Sequence, residues 1–300
     1  MMNYEEFKDA VLDNIKDYLS EEYSDFDMEC IDVNKTGYTY EGLIIGAKES
    51  GIQAVPVLNI TEAFAHYRNG GDFDNIMTCM AKLRMEAAAP EVNKSDILDY
   101  DKISQYIQPR LINTSNNEEY LADKPHREVE DLSVTYVVRF EYADGLSDAI
   151  ITDDLVNYWG ITVEELNAKA MGNLAKKSPK FADIVAMVSH EPCDIDLDEL
   201  NPDDYPAPMF VLSNPQITYG AVMALNSSVM DKIIEKFGDV YVIPSSVDEV
   251  IIIPKFMSND IEYLRATVGL VNQCSVSPES RLSNHIYDYC EEGHKLSMLA

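Results

Sequence analysis

The stretch Val240-Tyr241-Val242-Ile243-Pro244-Ser245-Ser246-Val247-Asp248-Glu249-Val250-Ile251-Ile252-Ile253-Pro254 decides the fold class. Two runs rich in β-branched residues flank a Pro-Ser-Ser corner, which reads as strand, tight turn, strand. Just before it, Val229, Met230, Ile233, Ile234 and Phe237 recur at helical spacing. Ser228 is the predicted N-cap of that helix, with Asp231 at its third position, and Gly238 its C-terminal stop. Further on, Asp260 is predicted to cap a helix that turns Ile261, Leu264, Val268 and Val271 inward. Ile286 to Tyr289 and Leu296 to Leu299 then predict a closing hairpin around Glu291-Glu292-Gly293. Adjacent strand pairs separated by single helices predict an α+β fold: mainly antiparallel sheets formed by hairpins, with interspersed amphipathic helices.

Upstream the same grammar repeats. Phe7, Val11, Ile15 and Tyr18 share one face of a helix predicted from Tyr4 to Leu19. Strands are predicted at Met28 to Val33, Tyr38 to Ile45 and Gln53 to Leu58, the last placed at an edge by Pro56. Asn59 and Glu62 predict a helix N-terminus, and Phe73, Ile76, Met77, Met80 and Leu83 line a second helix. The signal weakens after Pro90. Residues 1–92 therefore read as one unit, 93–130 as a connector and 131–300 as a second α+β unit, with a short strand at Arg110 to Ile112 available to either sheet. Leu132 to Tyr142 alternates with period two, which predicts one buried and one wetter face. Ala143-Asp144-Gly145 turns that strand back into Ala149 to Ile151. Thr162 to Glu165 is a capping box for a helix with Leu166, Ala170 and Leu174 inward. Phe181 to Val188 and Met209 to Leu212 read as strands around an acidic loop.

Composition narrows the functional classes. The chain has 300 residues, 53 acidic against 23 basic, for a formal net charge of -30. Phosphate contacts need Lys and Arg, so this balance argues against a nucleic-acid binder and against docking on an anionic membrane. The expected partner is another protein, and the charge favours a basic one. The N-terminus is acidic with no apolar signal-peptide run, and no stretch approaches a membrane span. Cys30, Cys79, Cys193, Cys274 and Cys290 are scattered without Cys-x-x-Cys spacing, which fits reduced thiols. Cytoplasmic residence is the expectation.

No motif specifies a reaction. A phosphate loop, Gly-x-Gly-x-x-Gly and the serine nucleophile elbow are missing from the sequence, so no cofactor is expected. The residues with most chemical potential fall in two places. His190, Cys193, Asp194, Asp196 and Asp198 offer metal-ligand atoms, but a calcium loop would need Gly where Glu199 stands and Glu where Tyr205 stands. Zinc would need paired Cys or His. Ser245 and Ser246, with Asp248 and Glu249 close behind, lie in the strand corner, where small hydroxyls bond turn backbone and no histidine is placed as their base. His285, Cys290 and His294 gather near the C-terminus, with no acidic orienter implied by spacing.

Four blocks carry a family likeness: Asn59 to Phe64 with Tyr67, Ile151 to Leu174, Tyr219 to Pro254, and Ser283-Asn284-His285-Ile286-Tyr287. Over nearly the whole chain these resemble an uncharacterised bacterial family catalogued as domain of unknown function 5688. More faintly, one strand–helix–strand-pair order is similar to a second uncharacterised bacterial family. The resemblance implies a bacterial, cytosolic protein that forms one full-length unit, and it supplies no catalytic residue. Three readings follow: a non-catalytic acidic interaction protein, an acidic decoy of a DNA-binding protein, or a hydrolase or metal-dependent enzyme centred on the two clusters above.

Overall fold

The apolar stripe Phe7 and Val11 buries one face of the first helix, α1 (Tyr4–Asn14), in a computed structural model of the chain. The described residues are 1–46, 56–86, 94–142, 145–189, 191, 193–244, 246–257, 261–266, 269, 276–277, 280–290 and 292–299. They fall into two compact units, Met1–Asp99 and Tyr100–Ala300. The molecule is α+β with antiparallel sheets.

In the first unit, a reciprocal capping box between Asn3 and Glu6 opens α1, and a 3-10 turn at Ile15–Tyr18 continues it. Strands β1 (Asp27–Lys35), β2 (Tyr38–Gly46) and β3 (Val57–Asn59) form an antiparallel sheet in that order. The third strand begins at Val57, and residues 53–55 of the predicted one lie outside the described residues. Helices α2 (Ile60–Arg68), α3 (Phe73–Glu86) and the short α4 (Lys94–Leu98) follow. Phe7, Val11, Ile15, Leu43, Ile45, Ile60 and Met77 share one core. Tyr4 and Lys8 of α1 both reach Glu41 of β2, which ties helix to sheet.

The second unit begins with α5 (Tyr100–Ile103) and β4 (Ile107–Asn113). Within the expected connector, the strand is longer than Arg110 to Ile112. Residues 107–113 pair over seven positions with β6 (Leu132–Tyr142), because Ile107 and Leu111 are apolar on alternate positions and bury fully. Pro109 sits within β4, at the edge of the sheet, where a missing amide donor is tolerated. Helix α6 (Glu118–Leu121) follows, and strands β5 (Arg127–Val129) and β7 (Gly145–Ile150) complete the unit's first sheet, both paired with β6. Residues 143–144 of the predicted turn lie outside the described residues, and the strands on either side pair from Tyr142↔Gly145.

Helices α7 (Asp153–Trp159) and α8 (Val163–Leu174) come next, and the predicted capping box between Thr162 and Glu165 opens α8. The strand expected at Phe181 to Val188 is shorter. β8 (Lys180–Asp183) gives way to α9 (Ile184–Val188), because the Asp183 carboxylate accepts the Val185 amide at 2.8 Å and caps a helical turn. β9 (Phe210–Ser213) and α10 (Ser227–Phe237) follow, with Asn226 rather than Ser228 as the N-cap residue. The hairpin read from the sequence is β10 (Val240–Ile243) and β11 (Val250–Pro254), in register Val242↔Ile252. With β12 (Tyr287–Tyr289) and β13 (Leu296–Met298) it makes a six-stranded sheet of order β13-β12-β10-β11-β9-β8. Residues 261–266 are helical, while Asp260, Val268 and Val271 lie outside the described residues.

One departure from the sequence reading matters most for function. Leu132, Val134, Tyr136 and Val138 of β6 enter the main core as the alternation predicts. The opposite face is not wet: Ser133, Thr135 and Arg139 are at most 8% exposed. Residues 218–219 and the Tyr120–Leu121 pair of α6 cover it from elsewhere in the chain. Polar side chains are thereby buried and must find partners.

Candidate functional site

The covered face of β6 gathers two arginines around one carboxylate. Arg139 of β6 and Asp148 of β7 are cross-strand partners. Arg139 donates from Nε and Nη2 to the two Asp148 oxygens, each at 2.9 Å, a bidentate fork. Its Nη1 donates to the Thr218 carbonyl at 3.3 Å. Arg110 of β4 also pairs with Asp148 through Nη2. The guanidinium of Arg110 stacks on the Tyr219 ring, 3.7 Å from its centroid. Its Nε is buried and makes no hydrogen bond. Tyr120 stands close enough to feel the Arg110 charge, and its burial pushes the phenol up to about 12. Burial pushes the Asp148 carboxyl upward as well. The Arg139 bonds and the two guanidinium charges outweigh that and hold it below the ordinary carboxylate range.

The segment Asn214–Gly220 that covers this pair is built against the strand corner. Asn214 brackets Thr218, donating to its carbonyl at 2.8 Å and accepting its amide at 3.2 Å. Ile217 and Tyr219 have φ of 49° and 53°, in the left-handed region that β-branched and bulky residues avoid. Asp248 holds the turn: its carboxylate accepts the Tyr219 amide at 2.8 Å, and its carbonyl accepts the Ser213 hydroxyl at 2.6 Å. Gly220 follows because a Cβ there would lie 2.6 Å from both Asn214 N and Asp248 O.

The corner residues flagged in the sequence thus serve this site from behind. Ser246 Oγ accepts the Asp248 amide at 3.1 Å, the local turn bond expected of a small hydroxyl. Glu249 is half-buried, and burial, with the Asp248 charge beside it, raises its carboxyl. Ser245 lies outside the described residues, as does His190.

The acidic loop is occupied by lysines. Asp194 pairs with Lys180 at 3.5 Å, and Asp198 pairs with Lys232. Asp196 accepts the Asp198 amide at 2.9 Å, while the Cys193 carbonyl accepts the Asp183 amide at 2.9 Å. A cleft of about 640 Å³ lies beside the loop, lined by these three aspartates and by Lys176, Lys177 and Lys232. Among the described residues no group of three His, Cys, Asp or Glu is placed to hold a metal ion.

The two C-terminal histidines bind different carboxylates. Each finds an aspartate far away in sequence, which spacing alone does not reveal. His285 Nδ1 lies 2.9 Å from Asp131, and His294 Nδ1 lies 2.8 Å from Asp231. Each aspartate also takes a phenol from β12, Tyr287 and Tyr289 respectively. Burial raises the Asp131 carboxyl, and bonds from Tyr287, His285 and Ser283 more than offset it, so the net shift is downward. The Asp231 carboxyl is lowered chiefly by the His294 bond.

Ser283, His285 and Asp131 have the residue types of a nucleophile relay but not its order. A relay puts imidazole between hydroxyl and carboxylate, one on each ring nitrogen. Here Nδ1 faces both, and Ser283 Oγ donates directly to Asp131 at 2.8 Å while accepting the His285 amide at 3.0 Å. Ser283 is a turn hydroxyl, 5% exposed.

Cys30, Cys79, Cys193 and Cys290 are free thiols. Among the described residues no helix is long and apolar enough to cross a membrane. No curated protein and no solved structure matches the chain significantly. The model of a family of unknown function, DUF5688, matches residues 4–291, and the chain belongs to that family.

Proposed function

We propose that the chain is a non-catalytic interaction protein of the bacterial cytoplasm that offers an acidic surface to a basic protein partner. The observation that carries this reading is the distribution of charge over residues 5–32. All eleven carboxylates there are exposed, from Glu5 to Asp32, against two lysines. Neither lysine neutralises them: Lys8 is bound to Glu41 and Lys16 to the Ser24 carbonyl. Glu5, Asp9 and Asp13 recur one helical turn apart on α1, about 6 Å per step. Like charges at that spacing weaken a helix, so the stripe is a cost to local stability.

The reaction-bearing side chains support the non-catalytic part. Ser246, Ser283 and Asp248 hold turns, and Asp194 and Asp198 hold lysines. The helical spacing of the carboxylates also suits the decoy reading, in which they stand in for phosphates. Capture from the native host, at low and high salt, tests both. Wild-type protein is expected to retain a basic protein at low salt and release it at high salt. Asp9→Lys/Asp13→Lys/Asp17→Lys is expected to fold and lose that partner. Release of the partner by added duplex DNA favours the decoy. Retention that ignores both salt and the triple substitution refutes the acidic-surface reading.

A further inference from the structure

We propose that the Arg110–Arg139 pair, on the covered face of the four-stranded sheet, is a binding site for a small oxyanion, a phosphate or a carboxylate, held under the loop 214–220. The first ground is charge. Among the described residues, two guanidinium groups, each about nine-tenths buried, share the single carboxylate of Asp148. This leaves a local positive excess inside a chain whose net charge is -30. A buried charge persists when it is paired and hydrogen-bonded, and a guanidinium does not shed its proton to escape the cost.

The second ground is the donor inventory. All three nitrogens of Arg139 are engaged, two with Asp148 and one with Thr218. Arg110 uses Nη2 on Asp148, while its buried Nε bonds nothing. The Tyr219 ring occupies the guanidinium face at 3.7 Å, so an acceptor must arrive in the plane, along the edge that carries Nε. Nη2, which shares that edge, already serves Asp148, so the oxyanion takes a single charge-assisted bond from Nε.

The third ground is the cover. The loop above the pair carries two non-glycine residues in the left-handed region, Ile217 and Tyr219. Ile217 is 44% exposed, so core packing does not account for its conformation. Strain of this kind is kept where surrounding bonds over-determine it, and it gathers at ligand clamps. Here the over-determining bonds come from Asn214 and Asp248, and they set the ring that stacks on Arg110. This inference stands apart from the acidic-surface reading, since it concerns a cationic site on the second unit.

Full-length protein with ¹⁵N-labelled arginine tests the proposal. The Nε–H resonance of Arg110, assigned by its loss in Arg110→Lys, is followed while inorganic phosphate, acetate or chloride is added at constant ionic strength. A saturable shift with phosphate, with acetate or with both, and none with chloride, is expected. Phosphate alone identifies a tetrahedral ligand and acetate alone a planar one. In the same titrations the melting temperature of the wild type should rise with the bound anion. Lys carries no in-plane Nε–H, so Arg110→Lys should bind about tenfold more weakly or worse. The negative field of the chain disfavours adventitious anions, which makes a saturable response informative. No saturable shift of the Arg110 resonance with phosphate or acetate overturns the proposal and leaves a buried water as the partner of Nε. An equal thermal response in Arg110→Lys also overturns it. If Arg110→Lys does not fold, the wild-type resonance, assigned through Tyr219→Leu instead, still decides.

Discussion

Replacing Asp148 by Asn isolates the energetics of the arginine pair. The substitution keeps shape and removes the charge that both guanidinium groups share. Its side chain is 14% exposed and those of Arg110 and Arg139 are 10% and 8%, so solvent screening is slight. Removing one partner of a buried ion pair costs about 3–5 kcal/mol, because the remaining charge stays buried without compensation. Against a total stability of roughly 5–15 kcal/mol this is a large fraction. It corresponds to a fall in melting temperature of about 6–20 °C for a unit of this size. Trp159 is the only tryptophan and lies in the same unit, packed against Tyr100, so its fluorescence during urea unfolding reports the right transition. Adding Arg139→Met to Asp148→Asn should cost less than the two single losses summed, since the orphaned fork is gone. The sign with pH follows from the lowered carboxyl. The Asp148 contribution is complete above the unfolded value near pH 4 and is lost as pH falls through the folded value. The acid limb of the stability curve should therefore be shallower in Asp148→Asn. A loss below about 1 kcal/mol, the range of exposed pairs, would refute the buried-pair argument.

Other consequences are equally direct. Gly220→Ala places a methyl group 2.6 Å from two backbone atoms that have little room to shift, and is expected to cost about 1–3 kcal/mol; an unchanged urea midpoint contradicts the turn geometry. Phe210→Ala removes a ring that meets Phe181 at 4.7 Å, Phe237 at 5.1 Å and Tyr205 at 5.3 Å. It is expected to cost about 3–5 kcal/mol in the same assay, and a loss under half of that places Phe210 outside the core. Asp131→Asn removes a carboxyl with a lowered folded-state pKa, so the wild type should lose stability relative to the variant below about pH 4. Parallel acid limbs for the two proteins argue against the Asp131, His285 and Tyr287 node.

Elements whose periodicity is local were legible in the sequence. The β10–β11 hairpin, the β12–β13 hairpin, β1, β2, β6 and α8 all lie where alternation, helical spacing or a capping box places them. β4 was only partly legible, because Pro109 and the Asn-rich patch after it look like a connector. Its strand conformation depends on seven partners in β6 that lie 19 to 31 residues away. The Phe181 to Val188 segment departs from the strand expectation for the opposite reason. A local Asp183 cap overrode an apolar run that suits either structure. For the candidate site, the sequence drew attention to Ser246, Asp248 and Glu249 and missed Arg110, Arg139 and Tyr219. An arginine on the expected wet face of a strand draws no notice. A faint signal existed in Arg139 lying opposite Asp148 across a predictable hairpin.

The sequence by itself determined the α+β class, the two main hairpins, the acidic character and the lack of a reaction-specifying motif, since each depends on neighbours along the chain or on composition alone. Only tertiary structure decided that β6 is covered on both faces, that Asp131 and Asp231 each hold a distant histidine and tyrosine, and that two arginines share one carboxylate. Those outcomes rest on which surfaces desolvate one another. Desolvation is set by packing between segments 31 to 154 residues apart, which no local period encodes.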